Sequence, residues 1–375
     1  MEKRKWEKLG IETSLLGFGA MRLHTKDGKI DEEKALKLFD EAYYNGVNYF
    51  DTAIPYTNGL NESFVGKALK RYPRESFYLA TKCSFSAFKT KEEFECIIDK
   101  QLANLQVDYI DFYLMHALNR EDLKQMEEWQ MMKTVSKWKE EGKIKHIGFS
   151  FHDDYDAFID VLNYFDWEFC QIQLNYVDQN IQQGIKGYYE LEKRGIPCLI
   201  MEPVKGGKLA KFTPEVEKMF KDYDKDASVA SYALRWVGSL PGVKVILSGM
   251  NEMEQVTDNL KTFKEFKKLE VEEYELIEKV MEAIKQLEKV PCTKCEYCMP
   301  CPMGVNIPGC FKSYNEYAMY NEKGSFLWTA DVYEKGKKGP EMCVECGKCV
   351  KKCPQKIDIP TELKRMKEEI EKLRK

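Results

Sequence analysis

The sequence lacks the features that define several large classes of protein. No apolar run approaches the roughly eighteen residues that a membrane-spanning helix needs. Neither sign of charge dominates, because 58 Lys and Arg are interleaved with 62 Asp and Glu, leaving no basic footprint for nucleic acid. The N-terminal segment is basic but has no apolar core, so we expect no signal peptide. These absences predict a cytoplasmic protein with no membrane span and no nucleic-acid partner.

Histidine is scarce, whereas cysteine is concentrated. Only four histidines occur in 375 residues, and His24, His146 and His152 have no partner pattern, which indicates structural or surface roles. Eight of the thirteen cysteines lie in two short runs, at residues 292–301 and 343–353. Because thiols stay reduced in the cytoplasm, cysteines spaced so closely indicate metal ligands rather than disulfides.

Short apolar runs alternate with amphipathic stretches between residue 14 and about residue 265. The runs begin near residues 15, 47, 77, 110, 144, 170, 197 and 243. The segments between them have helical spacing, as in "DEEKALKLFDEAYYNG", where Asp31 offers an N-cap and Gly46 a stop. The apolar stripe of this helix is formed by Ala35, Leu36, Phe39, Ala42 and Tyr43. Eight strand-then-helix units predict an α/β fold with a closed (β/α)8 barrel rather than an open sheet.

The composition changes near residue 290. Residues 264–290 have the pattern of one or two charged helices, and Pro291 ends them. A segment rich in Cys, Pro and Gly follows, and a helical tail closes the chain. We therefore expect residues 1–289 to form the barrel and residues 290–375 to form a small second domain.

Polar side chains stand where three consecutive strands end. The second strand ends "FDTAIPY", which contains Asp51 and Tyr56; the third ends at Lys82 and the fourth at His116. Each of these residues, taken alone, could equally have a structural role. In a (β/α)8 barrel, however, the carboxyl ends of the strands meet at one face, so the four side chains would converge there. A lysine held by Asp51 should lower the pKa of Tyr56 from its usual value of about 10, making the phenol a general acid. A neutral His116 could orient a carbonyl oxygen through its N–H.

The stretch "GVNYFDTAIPYTNGLNESFVGKAL", followed by "LATK" and "DYIDFYLMH", resembles the aldo-keto reductase family over about residues 5–265. The resemblance matches Asp51, Tyr56, Lys82 and His116 to the family's catalytic tetrad. It implies hydride transfer from NADPH or NADH to the carbonyl of a small molecule, with the tyrosine protonating the oxygen, or the reverse oxidation of an alcohol. It also implies that the nicotinamide binds in the barrel mouth without a Rossmann domain. The lack of a G-x-G-x-x-G motif after a strand is consistent with that.

The resemblance also implies a set of cofactor contacts. They are Gly19, Ala20 and Met21 near the nicotinamide ribose, Ser150 and Gln171 at the carboxamide, Met201, Glu202, Pro203, Val204, Gly206 and Gly207 along the nicotinamide and pyrophosphate, and Gly249, Met250, Gln255 and Asn259 at the adenosine. Three positions depart from many relatives: Phe151 replaces Asn, Met201 replaces a stacking aromatic, and Gln255 replaces the Arg of many NADPH users. The choice between NADP and NAD therefore stays open, and a flavin is an alternative occupant of the mouth.

The cysteine runs have the spacing of iron–sulfur ligands. The second run reads C-x2-C-x2-C-x3-C-P, which is the bacterial ferredoxin signature, and the first run has a final gap of two instead of three. Two [4Fe-4S] clusters would then form, with the last cysteine of each run crossing to the other cluster. The two ligand sets would be Cys292, Cys295, Cys298 and Cys353, and Cys301, Cys343, Cys346 and Cys349. A local site within each run is an alternative, and so is an all-thiolate zinc site.

Residues 290–360 resemble the ferredoxin-like extension found on a subset of aldo-keto reductases. The matching turns "VNIP" and "IDIP" after the two runs suggest an internal repeat. The remaining cysteines lack ligand spacing, and we expect them to be packed thiols: Cys83, Cys96, Cys170, Cys198 and Cys310.

Three functions are compatible with this sequence. The first is a carbonyl reductase using NADP or NAD, with the clusters stabilising the tail, sensing redox state or serving an external electron carrier such as ferredoxin. The second is a flavin- or ferredoxin-linked electron-transfer reductase, since a flavin commonly converts between hydride and single-electron chemistry. The third is a redox-responsive regulatory subunit, against which the intact Asp51, Tyr56, Lys82 and His116 set argues. The oligomeric state is not indicated.

Overall fold

The computed structural model describes residues 1–375, which divide into two compact units. One comprises residues 1–206 and 230–270, and the other comprises residues 207–229 and 271–375. The strands are β1 (Lys3–Trp6), β2 (Ile11–Ser14), β3 (Leu16–Gly19), β4 (Thr25–Lys26), β5 (Lys29–Ile30), β6 (Tyr49–Asp51), β7 (Tyr78–Cys83), β8 (Ile110–Leu118), β9 (Ile144–Phe151), β10 (Phe169–Gln173), β11 (Cys198–Met201) and β12 (Val243–Ser248).

Fifteen α-helices accompany these strands. They are α1 (Glu32–Tyr44), α2 (Asn61–Leu69), α3 (Lys91–Glu95), α4 (Ile97–Leu105), α5 (Asp122–Glu128), α6 (Met131–Glu140), α7 (Tyr155–Tyr164), α8 (Gly184–Arg194), α9 (Pro214–Tyr223), α10 (Val229–Gly238), α11 (Met253–Lys264), α12 (Val271–Gln286), α13 (Ile307–Tyr320), α14 (Lys323–Lys335) and α15 (Ile359–Arg374). No helix has the length and apolar character needed to cross a membrane.

Eight parallel strands close into a barrel in the order β10-β11-β12-β3-β6-β7-β8-β9. Each of them begins within two residues of a predicted apolar run, so the (β/α)8 prediction is confirmed. The interior is filled by large side chains from many strands, including Tyr49, Phe112 and Phe169. The antiparallel hairpin of β1 and β2 contributes Trp6 to the same core, where its ring centre lies 5.1 Å from that of Phe112. The interior of the barrel is therefore a packed core and not a pore.

Helix α1 shows how local sequence determines an element. The side chain of Asp31 accepts a hydrogen bond from the backbone N–H of Lys34, as expected for an N-cap, and Gly46 has a φ of 94° just after the helix ends. The buried face consists of Ala35, Leu38, Phe39 and Ala42. The predicted apolar stripe included Leu36 and Tyr43, but both are only half-buried. Leu38, which the prediction left out, is buried instead.

The second unit has its own apolar core beside the cysteine runs. The core is formed by buried residues that include Val290, Phe311, Phe326, Leu363 and Met366, and Cys292, Cys298, Cys301, Cys343, Cys349 and Cys353 pack against it. The boundary predicted between residues 289 and 290 lies inside this unit, which also contains residues 207–229 and 271–289. That boundary stays a prediction.

The two matching turns begin helices of the same kind. The side chain of Asn306 accepts from the N–H of Gly309 at the start of α13, and that of Asp358 accepts from the N–H of Thr361 at the start of α15. Both helices have proline in the first turn, Pro308 in α13 and Pro360 in α15. Each cysteine run is therefore followed by a capped helix.

A substitution at Gly66 tests the close packing between α2 and α4. A methyl group at Gly66 would lie 2.7 Å from Leu105 Cα, and a backbone atom cannot move away cheaply. We expect Gly66→Ala to lower the free energy of unfolding by about 1–3 kcal/mol, despite alanine's better helix propensity. Chemical denaturation followed by circular dichroism measures this. Ser63→Ala, at an exposed position of the same helix, is the control and should be neutral or slightly stabilising. Equal stabilities of the two variants would contradict the packing argument.

Candidate functional site

A buried ion pair lies at the carboxyl end of the barrel strands. Asp51 is the last residue of β6, and Lys82 lies near the end of the neighbouring β7. The Lys82 Nζ donates to Asp51 Oδ1 at 2.6 Å, to Asp51 Oδ2 at 2.7 Å and to the backbone oxygen of Thr52 at 2.7 Å. Both side chains are buried, so three short hydrogen bonds hold the ammonium in one place.

Tyr56 and His116 lie beside this pair. Tyr56 begins a short 3-10 turn after β6, and the centre of its ring is 5.0 Å from Lys82 Nζ. His116 lies near the end of β8, and its ring is 5.9 Å from that of Tyr56 in an edge-to-face arrangement. The structure thus brings all four predicted catalytic side chains together at one end of the barrel.

The pKa of Tyr56 differs from the sequence-based expectation. Burial raises the pKa of Tyr56 above its usual value of 10.0, the charge of Lys82 lowers it and the charge of Asp51 raises it further, and the net shift is upward. The prediction of a lowered pKa is therefore wrong, because the cost of desolvating a phenolate exceeds the stabilisation by the lysine. Tyr56 keeps its proton at neutral pH, which is the form that a proton donor requires.

Lys82 and His116 differ in charge at neutral pH. Burial disfavours the ammonium of Lys82, but the charges of Asp51 and Tyr56 outweigh burial and raise its pKa. Burial and the nearby charges of Lys82 and His152 lower the pKa of His116 from 6.5 to about 3. A charged Lys82 therefore stands beside a neutral His116, and the imidazole has one N–H to donate.

Two of the predicted carboxamide contacts lie side by side on neighbouring strands. Ser150 on β9 and Gln171 on β10 are paired in register, and both are buried. The Gln171 Nε2 lies 3.4 Å from Met201 Sδ, while its Oε1 has no hydrogen-bond partner. A buried acceptor without a donor is costly, so this oxygen fits the N–H of a bound amide such as the nicotinamide carboxamide. The Ser150 Oγ accepts from the N–H of Ala117 at 2.7 Å.

The first loop of the barrel mouth is held by a residue that the sequence analysis did not single out. Asn61 is buried and donates from Nδ2 to the backbone oxygen of Ala20 at 2.9 Å, while its Oδ1 accepts from Thr52 Oγ1 at 2.6 Å. Gly19 lies against the backbone of Ser248. Met21 is exposed. The tetrad strand and the loop predicted to contact the ribose are therefore tied together.

Arg22 was also missed, although it directly follows the "GFGAM" motif. Its guanidinium donates to Glu202 Oε1 at 2.8 Å, and its side chain lies against Gly206 and Gly249. Arg22 therefore lies in one of the loops predicted to contact the cofactor and contacts the other two, which contain Gly206 and Gly249. Glu202 has a φ of 56°, and its backbone oxygen accepts from Asn175 Nδ2 at 3.1 Å.

Other predicted cofactor residues are engaged within the protein. The Gln255 Oε1 accepts from the N–H of Asn251 and of Glu252, forming a capping box at the start of α11. Asn259 Nδ2 donates to Ser248 Oγ at 2.9 Å. Met250 is buried. Pro203 and Val204 lie in the loop after β11, where Gly206 and Gly207 have positive φ. The cofactor roles of these residues stay predictions.

The cysteine runs line two cavities in the second unit. One cavity, of about 400 Å³, is lined by Cys301, Cys343, Cys346 and Cys349, together with Cys298. The other is lined by Cys292, Cys295, Cys298 and Cys353. The crossed arrangement predicted from the spacing is the one that these linings fit, because each cavity combines cysteines of both runs. Of the cysteines outside the runs, Cys83, Cys170, Cys198 and Cys310 are buried as expected, but Cys96 is exposed.

Comparisons with known proteins agree with this geometry. The model of the Aldo/keto reductase family matches residues 15–282, and the chain belongs to that family. L-galactose dehydrogenase from Arabidopsis thaliana is 27% identical over 284 residues, which cover 69% of this chain and 87% of that protein. NADH-specific methylglyoxal reductase from Escherichia coli is 25% identical over 307 residues, covering 68% of this chain and 88% of that protein. The chain is thus an aldo-keto reductase-type oxidoreductase.

Solved structures of aldo-keto reductases resemble the barrel, and the C-terminal segment matches a separate family model. The holo form of an aldo-keto reductase from Bacillus halodurans superimposes with a TM-score of 0.62 and 28% identity, covering 75% of this chain and 96% of that one. Residues 291–357 match a 4Fe-4S dicluster domain. That match supports iron–sulfur clusters over zinc, whereas a flavin gains no support.

The charge state of His116 can be measured directly. With a pKa of about 3, the imidazole should stay neutral, and its ring nitrogen signals in a 15N NMR titration should not shift between about pH 5 and 8. His116→Gln identifies the signals by their loss. A midpoint near 6.5 for those signals would contradict the burial argument.

Proposed function

We propose that this protein reduces the carbonyl group of a small aldehyde or ketone with NADPH or NADH, or oxidises the corresponding alcohol, and carries two [4Fe-4S] clusters for single-electron transfer. The observation that carries the first half is the buried Asp51 and Lys82 pair beside a protonated Tyr56 and a neutral His116. The cavities lined by cysteines of both runs carry the second half.

The four side chains have complementary roles in carbonyl reduction. A bound reduced nicotinamide supplies the hydride that attacks the carbonyl carbon. Tyr56 donates its proton to the carbonyl oxygen, so that hydride and proton together give the alcohol. The N–H of His116 orients that oxygen beforehand. Lys82 stabilises the phenolate that Tyr56 becomes, and Asp51 keeps Lys82 charged and in place.

The cofactor would be held by groups already placed around the mouth. The unpaired Oε1 of Gln171 can accept from the carboxamide, and Arg22 supplies a cation beside Gly206 and Gly249. Among the relatives, one is named as a reductase that uses NADH and another as a dehydrogenase. Both directions of reaction therefore occur among similar proteins, and we assign neither NADP nor NAD.

We infer that the clusters bind in the crossed arrangement. One set comprises Cys292, Cys295, Cys298 and Cys353, and the other comprises Cys301, Cys343, Cys346 and Cys349. Each cluster, when bound, exchanges one electron. An external carrier such as ferredoxin is therefore the natural partner for this half of the protein.

Removal of the Tyr56 hydroxyl tests the proposed proton donor. Tyr56→Phe should lower kcat for carbonyl reduction by at least about 100-fold, because general acid catalysis is lost, while the Kd for NADPH or NADH stays within about twofold. Steady-state kinetics and cofactor fluorescence measure the two quantities. Tyr44→Phe, at an exposed tyrosine on α1, is the control and should behave like the unmodified protein. Normal turnover by Tyr56→Phe would show that another group donates the proton.

Paired cysteine substitutions test the ligand sets. The anaerobically purified protein should be brown and contain about eight irons per chain. In the crossed arrangement Cys295→Ala with Cys353→Ala removes one cluster and leaves about four irons, whereas local sites within each run would both be lost. Cys295→Ala with Cys346→Ala removes both clusters in either arrangement.

Iron analysis and the visible spectrum distinguish these results. Cys310→Ala, at a buried cysteine outside the runs, should keep about eight irons. A colourless protein rich in zinc would refute the iron–sulfur assignment itself.

A further inference from the structure

The two cysteine-lined cavities differ in the charges at their rims. The cavity with Cys301, Cys343, Cys346 and Cys349 is also lined by Lys348, Lys351 and Lys352, and by no acidic residue. The other cavity has Glu296 as its only charged lining residue. The two cavities thus differ in the charges of their lining residues.

The three lysines are free to meet a partner. All three are exposed, and none has a carboxylate within 4.0 Å of its ammonium. Apolar side chains lie on the same rim: Val344 is 59% exposed and Met303 is 37% exposed. An apolar centre with cations around it has the composition of a small protein-docking surface whose partner is negatively charged.

We propose that this lysine-rimmed face docks a small acidic protein that carries single electrons. The proposal rests on the proposed function, since it requires the cluster of this cavity. The reduced carrier loses one electron, the cluster gains that electron, and no bond or proton changes in the exchange. The second cavity is lined by no lysine, so docking would favour the cluster of the first cavity as the point of entry.

Charge complementarity would act on both encounter and affinity. Long-range attraction between a lysine cluster and an acidic surface raises the association rate, and it weakens as salt screens the charges. Complexes of electron carriers are small and transient, so a few charges make up a large part of the affinity. The loss of two lysines should therefore be measurable.

The test measures binding of an oxidised acidic flavodoxin to the cluster-loaded protein by titration calorimetry. Lys351→Gln with Lys352→Gln should raise Kd by roughly 3- to 30-fold at low salt, and the difference should vanish at high salt. The control, Lys364→Gln with Lys367→Gln, removes the same charge from exposed positions of α15 and should leave Kd unchanged. Because binding is measured without electron transfer, a change in cluster potential cannot imitate the result.

Three results would overturn the proposal. Equal Kd values for the two double variants would show that only net charge matters. Binding of duplex DNA with the same sensitivity to Lys351 and Lys352 would show a general polyanion surface. Tight binding that persists at high salt would remove the electrostatic basis. Iron content separates these results from failure of the proposed function, since a chain without clusters refutes the electron-transfer half itself.

Discussion

The buried ion pair between Asp51 and Lys82 is the constraint on which the barrel's chemistry depends. Removing two charges from water costs several kcal/mol for each ion, and only very good geometry offsets that cost. Here the ammonium has three acceptors, at 2.6, 2.7 and 2.7 Å, and two of them are the oxygens of one carboxylate. Such an arrangement requires the ends of β6 and β7 to stay in register. The fold therefore fixes the cation, and the cation fixes the place where an oxyanion can form.

The same burial determines the proton states around the pair. Partial removal from water strengthens the attraction between Lys82 and any phenolate, but it also raises the pKa of Tyr56 and lowers that of His116. Both groups are consequently neutral and are hydrogen-bond donors at neutral pH. In the proposed reaction, Lys82 would act most strongly when negative charge appears on Tyr56. Its contribution would then belong to the transition state more than to the resting protein.

The sequence predicted the elements with local causes. Apolar runs and the N-cap at Asp31 depend on neighbours in the chain, so eight strands and α1 were placed correctly. The four tetrad residues follow from strand order, since parallel strands share one carboxyl end. The 4Fe-4S domain was also predictable, because spacing alone separates ferredoxin-like cysteine runs from isolated pairs.

Interactions between distant parts of the chain were not predictable in the same way. Arg22 and Glu202 are 180 positions apart, and only the closed barrel brings them together. The pKa of Tyr56 is a sum of opposing effects, and its sign depends on burial that no motif specifies. The sequence-based prediction failed where the outcome depended on burial or on contacts that only the closed barrel creates.

The second unit differs from the barrel in what orders its functional segments. The segments that hold the cysteines have few regular elements. One short 3-10 turn, Pro340–Met342, precedes the second run, and another, Val350–Lys352, lies within it. Order in such segments has to come from the helices that follow, from the apolar core and from the metal, whose binding is coupled to folding. The thiols lie at the edge of the apolar core and are partly or fully exposed. In the proposed function, the barrel requires a shielded site to control a proton, whereas the cysteine-rich unit requires an accessible site to pass an electron. Separate units would let one chain meet both requirements.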